Sequence, residues 1–429
     1  MPNPQEITNY HLSREKNNIY GFEFEIFCLN SKYHRLFFDD NETSKLKKVF
    51  NYLIDKENFK AFDSKVTVGV EKKKAKFKLE PGFQLEYSSR LNQNTDDLIE
   101  EYIELLKLYR TIGRRFNIKF SDIPVFPYDN SKRKPFLSTD CYDAIDKHFK
   151  KTGKLGGVML RDTTSIQFTY NYQSKEDLEE KVNRLLFLKP VLLILSSNSR
   201  IFKGKDTRHH SFHEIVWRNT DPKHCGDPGE NFWANGKWIL KNYIKKVLDA
   251  PIVFDVAKKR YKTMPAHPFR DLMNDVDIES YIFHNSSMFT DIRIKNYIEL
   301  RYLDNPTILL VPGIALLIES ILNQNKTWKV FKENLPYKFS EVPTITQKLN
   351  TISEESFDLW NKKLKPTLVL VLNNMRLSCD KRSLFYLDVL KEKTDKVGDY
   401  SNLEIDSENV LEKTTDQFNN NVETLIKKK

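Results

Sequence analysis

Leu79-Glu80-Pro81-Gly82-Phe83-Gln84-Leu85-Glu86-Tyr87-Ser88-Ser89 is the stretch on which the fold of this chain turns. Pro81-Gly82 predicts a tight turn, because proline presets its backbone angle and glycine tolerates a reversal. Beyond it Gln84-Leu85-Glu86 alternates, so on a strand Gln84 and Glu86 share one face and Leu85 takes the other. Three other runs repeat this construction. In Gly21-Phe22-Glu23-Phe24-Glu25-Ile26-Phe27, Glu23 and Glu25 oppose Phe22 and Phe24. In Ser165-Ile166-Gln167-Phe168-Thr169-Tyr170-Asn171-Tyr172, Gln167, Thr169 and Asn171 oppose Ile166, Phe168, Tyr170 and Tyr172. In Tyr297-Ile298-Glu299-Leu300-Arg301 an acid and a base share a face. Any one run reads equally well as a half-exposed strand with solvated charges, since antiparallel sheets often show water a polar face. Four together predict a sheet with one polar, working face.

If Glu23, Glu25, Glu80, Glu86 and Glu299 converge on that face, each pair at about 4 Å repels by roughly 4 kcal/mol at an effective dielectric near 20. Cations must then share the space. An all-oxygen ligand set suits Mg²⁺, which keeps several waters and shares its remaining positions with nucleotide phosphates. Metal-nucleotide chemistry is therefore expected from the residue types alone. Neither GxGxxG nor GxxxxGK[ST] occurs, and with only 13 glycines the dinucleotide-fold and P-loop readings lack support.

A hydrophobic content of 39% with 12% aromatics is enough for a sizeable core in one large domain or two. The net charge of +10 raises nucleic acid as a partner, and Lys72-Lys73-Lys74 with Lys76 and Lys78 is the densest basic run. No helix-turn-helix, zinc-finger or RNP signature accompanies it, so no nucleic-acid partner is expected. The excess charge reads as a basic rim that steers anions, with Lys72 to Lys74 on a solvated loop or hairpin beside it. Cys28, Cys141, Cys225 and Cys379 show no metal-ligand spacing and read as reduced thiols. His209, His210, His213 and His224 lack carboxylate or cysteine partners at ligand spacing, so no zinc site is predicted. Residues 1–18 are polar and the apolar runs Thr307 to Leu322 and Thr367 to Leu372 are too short to span a bilayer, which predicts a cytoplasmic protein with no membrane partner.

Spacings of three and four predict helices at Thr95 to Thr111, Lys175 to Leu195 and Asn235 to Leu248. With the strands at Tyr20 to Phe27, Phe77 to Tyr87 and Ser165 to Tyr172, the class is α+β with an antiparallel sheet. From Asn323 onward the chain turns helical and polar, with helices at Ser353 to Lys363 and Ser378 to Glu392 and a charged peripheral helix in the last ~35 residues.

The motifs resemble the glutamate-cysteine ligases of the plant and alphaproteobacterial type. That family reads Gly-x-Glu-x-Glu and then Glu-Pro-Gly-Gly-Gln-x-Glu-Leu-Ser, here Gly21 to Glu25 and Glu80 to Ser88 with Phe83 in place of the second glycine. Its Leu-Arg-Thr-x-Thr-Val-Gln strand is matched by Leu160 to Gln167 with one inserted residue. Ser197-Asn198-Ser199, Gly204-Lys205, Ser211, Ile215-Val216-Trp217, Thr220-Asp221 and Gly226 follow in the family's order, and Phe289 to Arg301 matches its last block.

The resemblance covers roughly residues 20 to 320. It implies a glutamine-synthetase-like catalytic fold, a curved antiparallel sheet forming a funnel with helices packed outside. A catalytic domain is expected over residues 1–325 and, from the helical, polar composition beyond it, a C-terminal extension over 326–429 packed on the same domain, in a monomer or homodimer. The implied reaction joins the γ-carboxylate of L-glutamate to the amine of L-cysteine through a γ-glutamyl phosphate, with ATP and Mg²⁺, for which Mn²⁺ substitutes, as the first step of glutathione biosynthesis. By the same resemblance Glu23, Glu25, Glu80, Glu86 and Glu299 hold metal, and Arg301, Arg161 and Glu86 act in catalysis. Lys205, Arg293, Lys295 and Asn198 contact nucleotide. Arg161, Gln167, Thr163, Ser211, His213 and Trp217 contact substrate. Three departures stand out: His213 replaces an arginine expected on a substrate carboxylate, Asn171 an aspartate, and Arg200 a proline. Histidine cannot reproduce arginine's permanent bidentate grip. A divergent carboxylate-amine ligase with another acid or amine is therefore a second reading. A non-catalytic relative is a third, and retention of all five acids argues against it.

Overall fold

The four alternating runs become neighbours. β1 (Tyr20–Leu29), β2 (Lys60–Ala61), β3 (Gly69–Lys72), β4 (Ala75–Leu79), β5 (Leu85–Ser88), β6 (Lys119–Ser121), β7 (Ile166–Tyr170), β8 (Ile292–Ile294) and β9 (Ile298–Leu300) form one nine-stranded sheet. Its order is β8-β9-β7-β1-β5-β4-β3-β2, with β6 paired to the far half of β1, and all these pairings are antiparallel. The structure, a computed structural model, describes residues 3–13, 19–39, 43–62, 68–128, 136–226, 237–377, 379–399 and 409–428.

Register places the polar residues in rows. Glu23 lies opposite Gln167 on one side and Ser88 on the other. Glu25 faces Glu86, which in turn faces Lys78. Glu299 faces Thr169 and Arg293. Because side chains alternate, the other face collects Phe22, Phe24, Phe77 and Phe168, all buried. The helix Thr95–Phe116 covers it, with the Tyr102 ring 5.6 Å from both Phe22 and Phe24. Asn94 caps that helix by accepting from Asp97 N at 2.8 Å, and Asp96 and Asp97 complement the positive end of its dipole.

Two turns set the geometry around the quoted stretch. Lys73 and Lys74 take the left-handed backbone (φ 49° and 72°) that a two-residue hairpin between β3 and β4 requires, so the basic run is a hairpin tip as expected. Phe83 has φ 61°, which explains why the family's pattern carries glycine there. Gly82 is tighter still: a Cβ at this position would lie 2.2 Å from the Arg161 carbonyl oxygen.

The helix expected over Lys175 to Leu195 is two helices, Lys175–Phe187 and Lys189–Ser196. Pro190 has no N–H to continue the ladder and breaks it. The third predicted helix runs Leu240–Asp249, and residues 235–236 of the expectation lie outside the described residues. Farther on, Lys381–Val397 packs against Val311–Asn323 and Lys189–Ser196, and Val410–Lys427 lies on β6 and Thr95–Phe116 with Leu411, Phe418, Val422 and Leu425 buried. No helix among the described residues is long and apolar enough to cross a membrane.

Candidate active site

The polar face of the sheet floors a cavity of about 330 Å³. Glu23, Glu25, Lys78, Glu86, Gln167 and Arg301 reach it from the sheet, and Glu80 and Gln84 from the Pro81-Gly82 turn. The helices Asp140–Thr152 and Gly156–Asp162 wall one side with Tyr142, Ile145, Met159 and Leu160, and Trp217, Phe254, Tyr261 and Phe289 close another.

One wall is acidic. Burial, followed by the charges of Glu80 and Glu23, raises the Glu25 carboxyl to about 8, although Ser165 N donates to its Oε2 at 2.9 Å. Burial also pushes Glu86 well above the ordinary carboxyl value; Lys78 works against this, and Glu23, Glu80 and Glu25 reinforce it. Glu80 is likewise penalised by burial, but Lys78 and a hydrogen bond with Glu86 bring it below the ordinary value. Lys78 Nζ sits 2.9 Å from Glu80 and 3.1 Å from Glu86. An all-oxygen set that takes up protons when no metal shares it is a donor set suited to a divalent cation.

The facing wall is cationic. Arg293 Nε donates to Glu299, Lys295 Nζ lies 2.7 Å from the other Glu299 oxygen, and Arg301 Nη1 is 3.8 Å away. Burial disfavours the Glu299 charge, yet these three cations hold its pKa far below the ordinary value. Glu299 is buried beside the cavity rather than lining it. Arg301 also donates to Gln167 Oε1, and its buried Nε has no hydrogen-bond partner among the described residues. Gln84 Nε2 donates to Thr163 O at 2.7 Å, while its buried Oε1 has no hydrogen-bond partner among the described residues.

Of the residues expected to contact ligands, Gln167, Thr163, Trp217, Arg293, Lys295 and Arg301 line this cavity, together with the four acids of the other wall. Arg161 does not: its Nη2 is 2.5 Å from Asp146 Oδ1 and its guanidinium covers the Phe136 ring at 4.4 Å. Lys205 is exposed on the short hairpin Ile201–Phe202 and Lys205–Asp206. Asn198, Ser211 and His213 gather instead around Asp304, which is fully buried. Asp304 accepts from Asn198 N at 2.9 Å, from Ser199 Oγ at 2.7 Å and from Ser211 Oγ, with His213 Nδ1 at 3.7 Å. Neither ring nitrogen of His213 has a hydrogen-bond partner among the described residues, and burial lowers its pKa. The other departures are also structural: Asn171 Oδ1 accepts from Tyr172 N, and Arg200 grips Asp206 with Nε at 2.9 Å and Nη2 at 2.6 Å.

Sequence reading missed Lys78, Asp304 and a buried triad in which Lys189 Nζ bonds Glu214 at 2.9 Å and Asp291. Lys78 had a signal, since Ala75-Lys76-Phe77-Lys78-Leu79 alternates like the other runs. The neighbouring Lys72 to Lys76 mask that alternation. The histidine group differs from the one considered: His148 Nε2 and His224 Nδ1 both lie 2.7 Å from Asp221 Oδ2, a hydrogen-bond spacing.

The chain is 25% identical over 254 residues to a glutamate-cysteine ligase, chloroplastic, from Solanum lycopersicum, covering 57% of this chain and 48% of that one. It is 23% identical over 270 residues to glutamate-cysteine ligase A, chloroplastic, from Oryza sativa subsp. indica, covering 61% and 54%. It thus spans about half the length of the curated relatives it matches. A crystal structure of a glutamate-cysteine ligase from Francisella tularensis in complex with AMP superposes with a TM-score of 0.52 at 13% identity over 97% of this chain and 93% of that one. That likeness concerns the fold, and the expected glutamine-synthetase-like class stands. The expectation of a cytoplasmic protein is overturned, because the plant relatives are named chloroplastic and a polar start does not assign a compartment. The family model of glutamate-cysteine ligase family 2 (GCS2) matches residues 19–338, and the chain belongs to that family.

Proposed function

We propose that this chain is an ATP-dependent, ADP-forming ligase that joins the γ-carboxylate of L-glutamate to the amine of L-cysteine. The observation that carries the reading is the cavity with an acidic wall of Glu23, Glu25, Glu80 and Glu86 facing Arg293, Lys295 and Arg301. Phosphoryl transfer needs positioning and charge neutralisation more than covalent chemistry, and the two walls supply the means for both. Mg²⁺ held by the acidic wall would neutralise the triphosphate. Arg301, with a spare N–H, stabilises charge on the transferring phosphoryl group, and Arg293 and Lys295 hold the nucleotide's anionic end. Gln167, pinned by Arg301, keeps its amide N–H on Ser165 Oγ at 3.3 Å and orients the polar end of the amino-acid substrate. The glutamate γ-carboxylate attacks the γ-phosphate to give an acyl phosphate, which the cysteine amine then opens with release of phosphate. Trp217 and Phe254, both buried in the wall, keep water from that side of the reactive anhydride.

His213 does not line the cavity but sits behind Trp217, ring centroids 5.0 Å apart, so the reading of a different acid or amine loses the direct carboxylate contact that motivated it. Residues 326–429 are, in the same proposal, a helical extension of the catalytic unit rather than a separate functional module. The test is to incubate the protein with ATP, Mg²⁺, glutamate and hydroxylamine. A γ-glutamyl hydroxamate with stoichiometric ADP is expected; AMP with pyrophosphate would reject phosphoryl transfer. Omitting hydroxylamine and supplying single amines in turn identifies the acceptor, with cysteine expected to give the fastest phosphate release.

A further inference from the structure

Lys78 stands in the middle of the acidic wall. It is held there by register, opposite Glu86 and flanked on β4 by buried Phe77 and Leu79, so its backbone is fixed and only its side chain is free to move. Its Nζ lies 2.9 Å from Glu80 Oε1 and 3.1 Å from Glu86 Oε1, and Ser88 Oγ donates to the same Glu86 oxygen at 2.9 Å. Two of the carboxylates given to metal in the proposed function therefore already share a positive charge. Glu299 has three cations of its own. Glu23 and Glu25 are the acids of the cavity that form no ion pair within 4.0 Å among the described residues.

We infer that the Lys78 ammonium is a built-in cation that takes the place of one divalent ion between Glu80 and Glu86, and that metal enters this site at Glu23 and Glu25. The inference rests on the metal-dependent reading of the cavity. Its physical basis is occupancy: a divalent ion between Glu80 and Glu86 would meet a like charge at bonding distance from the same oxygens. An ammonium on a tether needs no binding from solution, and its three N–H groups match the surrounding acceptors. The chain should then bind one divalent ion fewer than its carboxylates could hold without the lysine.

The experiment counts Mn²⁺ bound per folded full-length chain, by equilibrium dialysis and electron paramagnetic resonance, in wild type, Lys78→Gln and Lys78→Arg. Lys78→Gln is expected to bind one more Mn²⁺ than wild type, and Lys78→Arg the same number. Equal counts in wild type and Lys78→Gln overturn the inference. No Mn²⁺ bound by any of the three overturns the metal reading and this inference with it. If Lys78→Gln fails to fold, amine acylation of wild type followed by mass spectrometry decides. Unchanged Lys78 reactivity on saturation with Mn²⁺ supports a resident cation, whereas tenfold faster acylation means that metal expels the lysine.

Discussion

Glu25 and Glu299 lie on the same face of one sheet, Glu25 on the cavity and Glu299 buried beside it, and their carboxyls behave in opposite ways. Glu25 is surrounded by other acids and rises to about 8, while Glu299 is clasped by Arg293, Lys295 and Arg301 and stays ionised. Burial penalises both charges, so the neighbours decide the sign. A carboxylate with its cations built in is a structural device. One without them is a demand on the solvent, and the acidic wall is where this protein must recruit positive charge.

That contrast fails at once if metal is irrelevant. With EDTA, ligase turnover should fall below detection and return on adding Mg²⁺ or Mn²⁺, measured as ADP release; undiminished turnover would remove the reason for the acidic wall. Neutralising one acid on each side should next give effects of opposite sign. Glu299→Gln takes the shared carboxylate from two buried arginines, Arg293 and Arg301, and from half-buried Lys295, and should cost about 3 kcal/mol of stability by denaturant unfolding. Glu25→Gln relieves repulsion and should leave the metal-free protein as stable as wild type or more so at pH 8. Equal losses in both variants would mean that the two walls do not differ.

Acidity sharpens the comparison further. An ordinary glutamate ionises near 4.5, and Glu25 in the folded chain near 8. Between these values the unfolded chain has lost a proton that the folded chain keeps, so stability of the metal-free protein should fall as pH rises from about 4.5 to about 8. Saturating Mg²⁺ should flatten the slope, and Glu25→Gln should remove Glu25's share of it. Thermal unfolding across that window reads all three. The smallest effect belongs to the turn that presents Glu80. Phe83→Gly relieves a left-handed backbone worth about 1 kcal/mol but forfeits a buried ring worth about 3. A net loss of about 2 kcal/mol is expected in urea unfolding.

Much of this was legible in the chain. Period-two alternation put Glu23, Glu25, Glu86, Gln167 and Glu299 on one face, and strand pairing then made them neighbours, because a strand's faces are set by its own sequence. Lys78 obeys the same rule and was hidden by Lys72 to Lys76, whose density suggested solvent. Asp304 had no pattern to betray it. It follows β9 in an irregular segment, and its partners at Asn198, Ser199 and Ser211 meet it only through tertiary packing. Arg161 illustrates the converse: a motif residue whose nearest acid, Asp146, is a helix neighbour that no motif contains.

β1 pairs with β5, β6 and β7, three strands that all lie downstream of it, and the acids of the cavity hang on those pairings. During synthesis, then, Glu23 and Glu25 emerge among the first strands yet have no site to join until Gln167 and finally Arg301 have left the ribosome. The like charges are brought together only after loops closing most of the chain have been paid for in entropy, a topology that folds slowly. In the interval the phenylalanine face of β1 has no Thr95–Phe116 helix over it, so a nascent chain stalled before that helix is the form of this protein most exposed to aggregation and to chaperones.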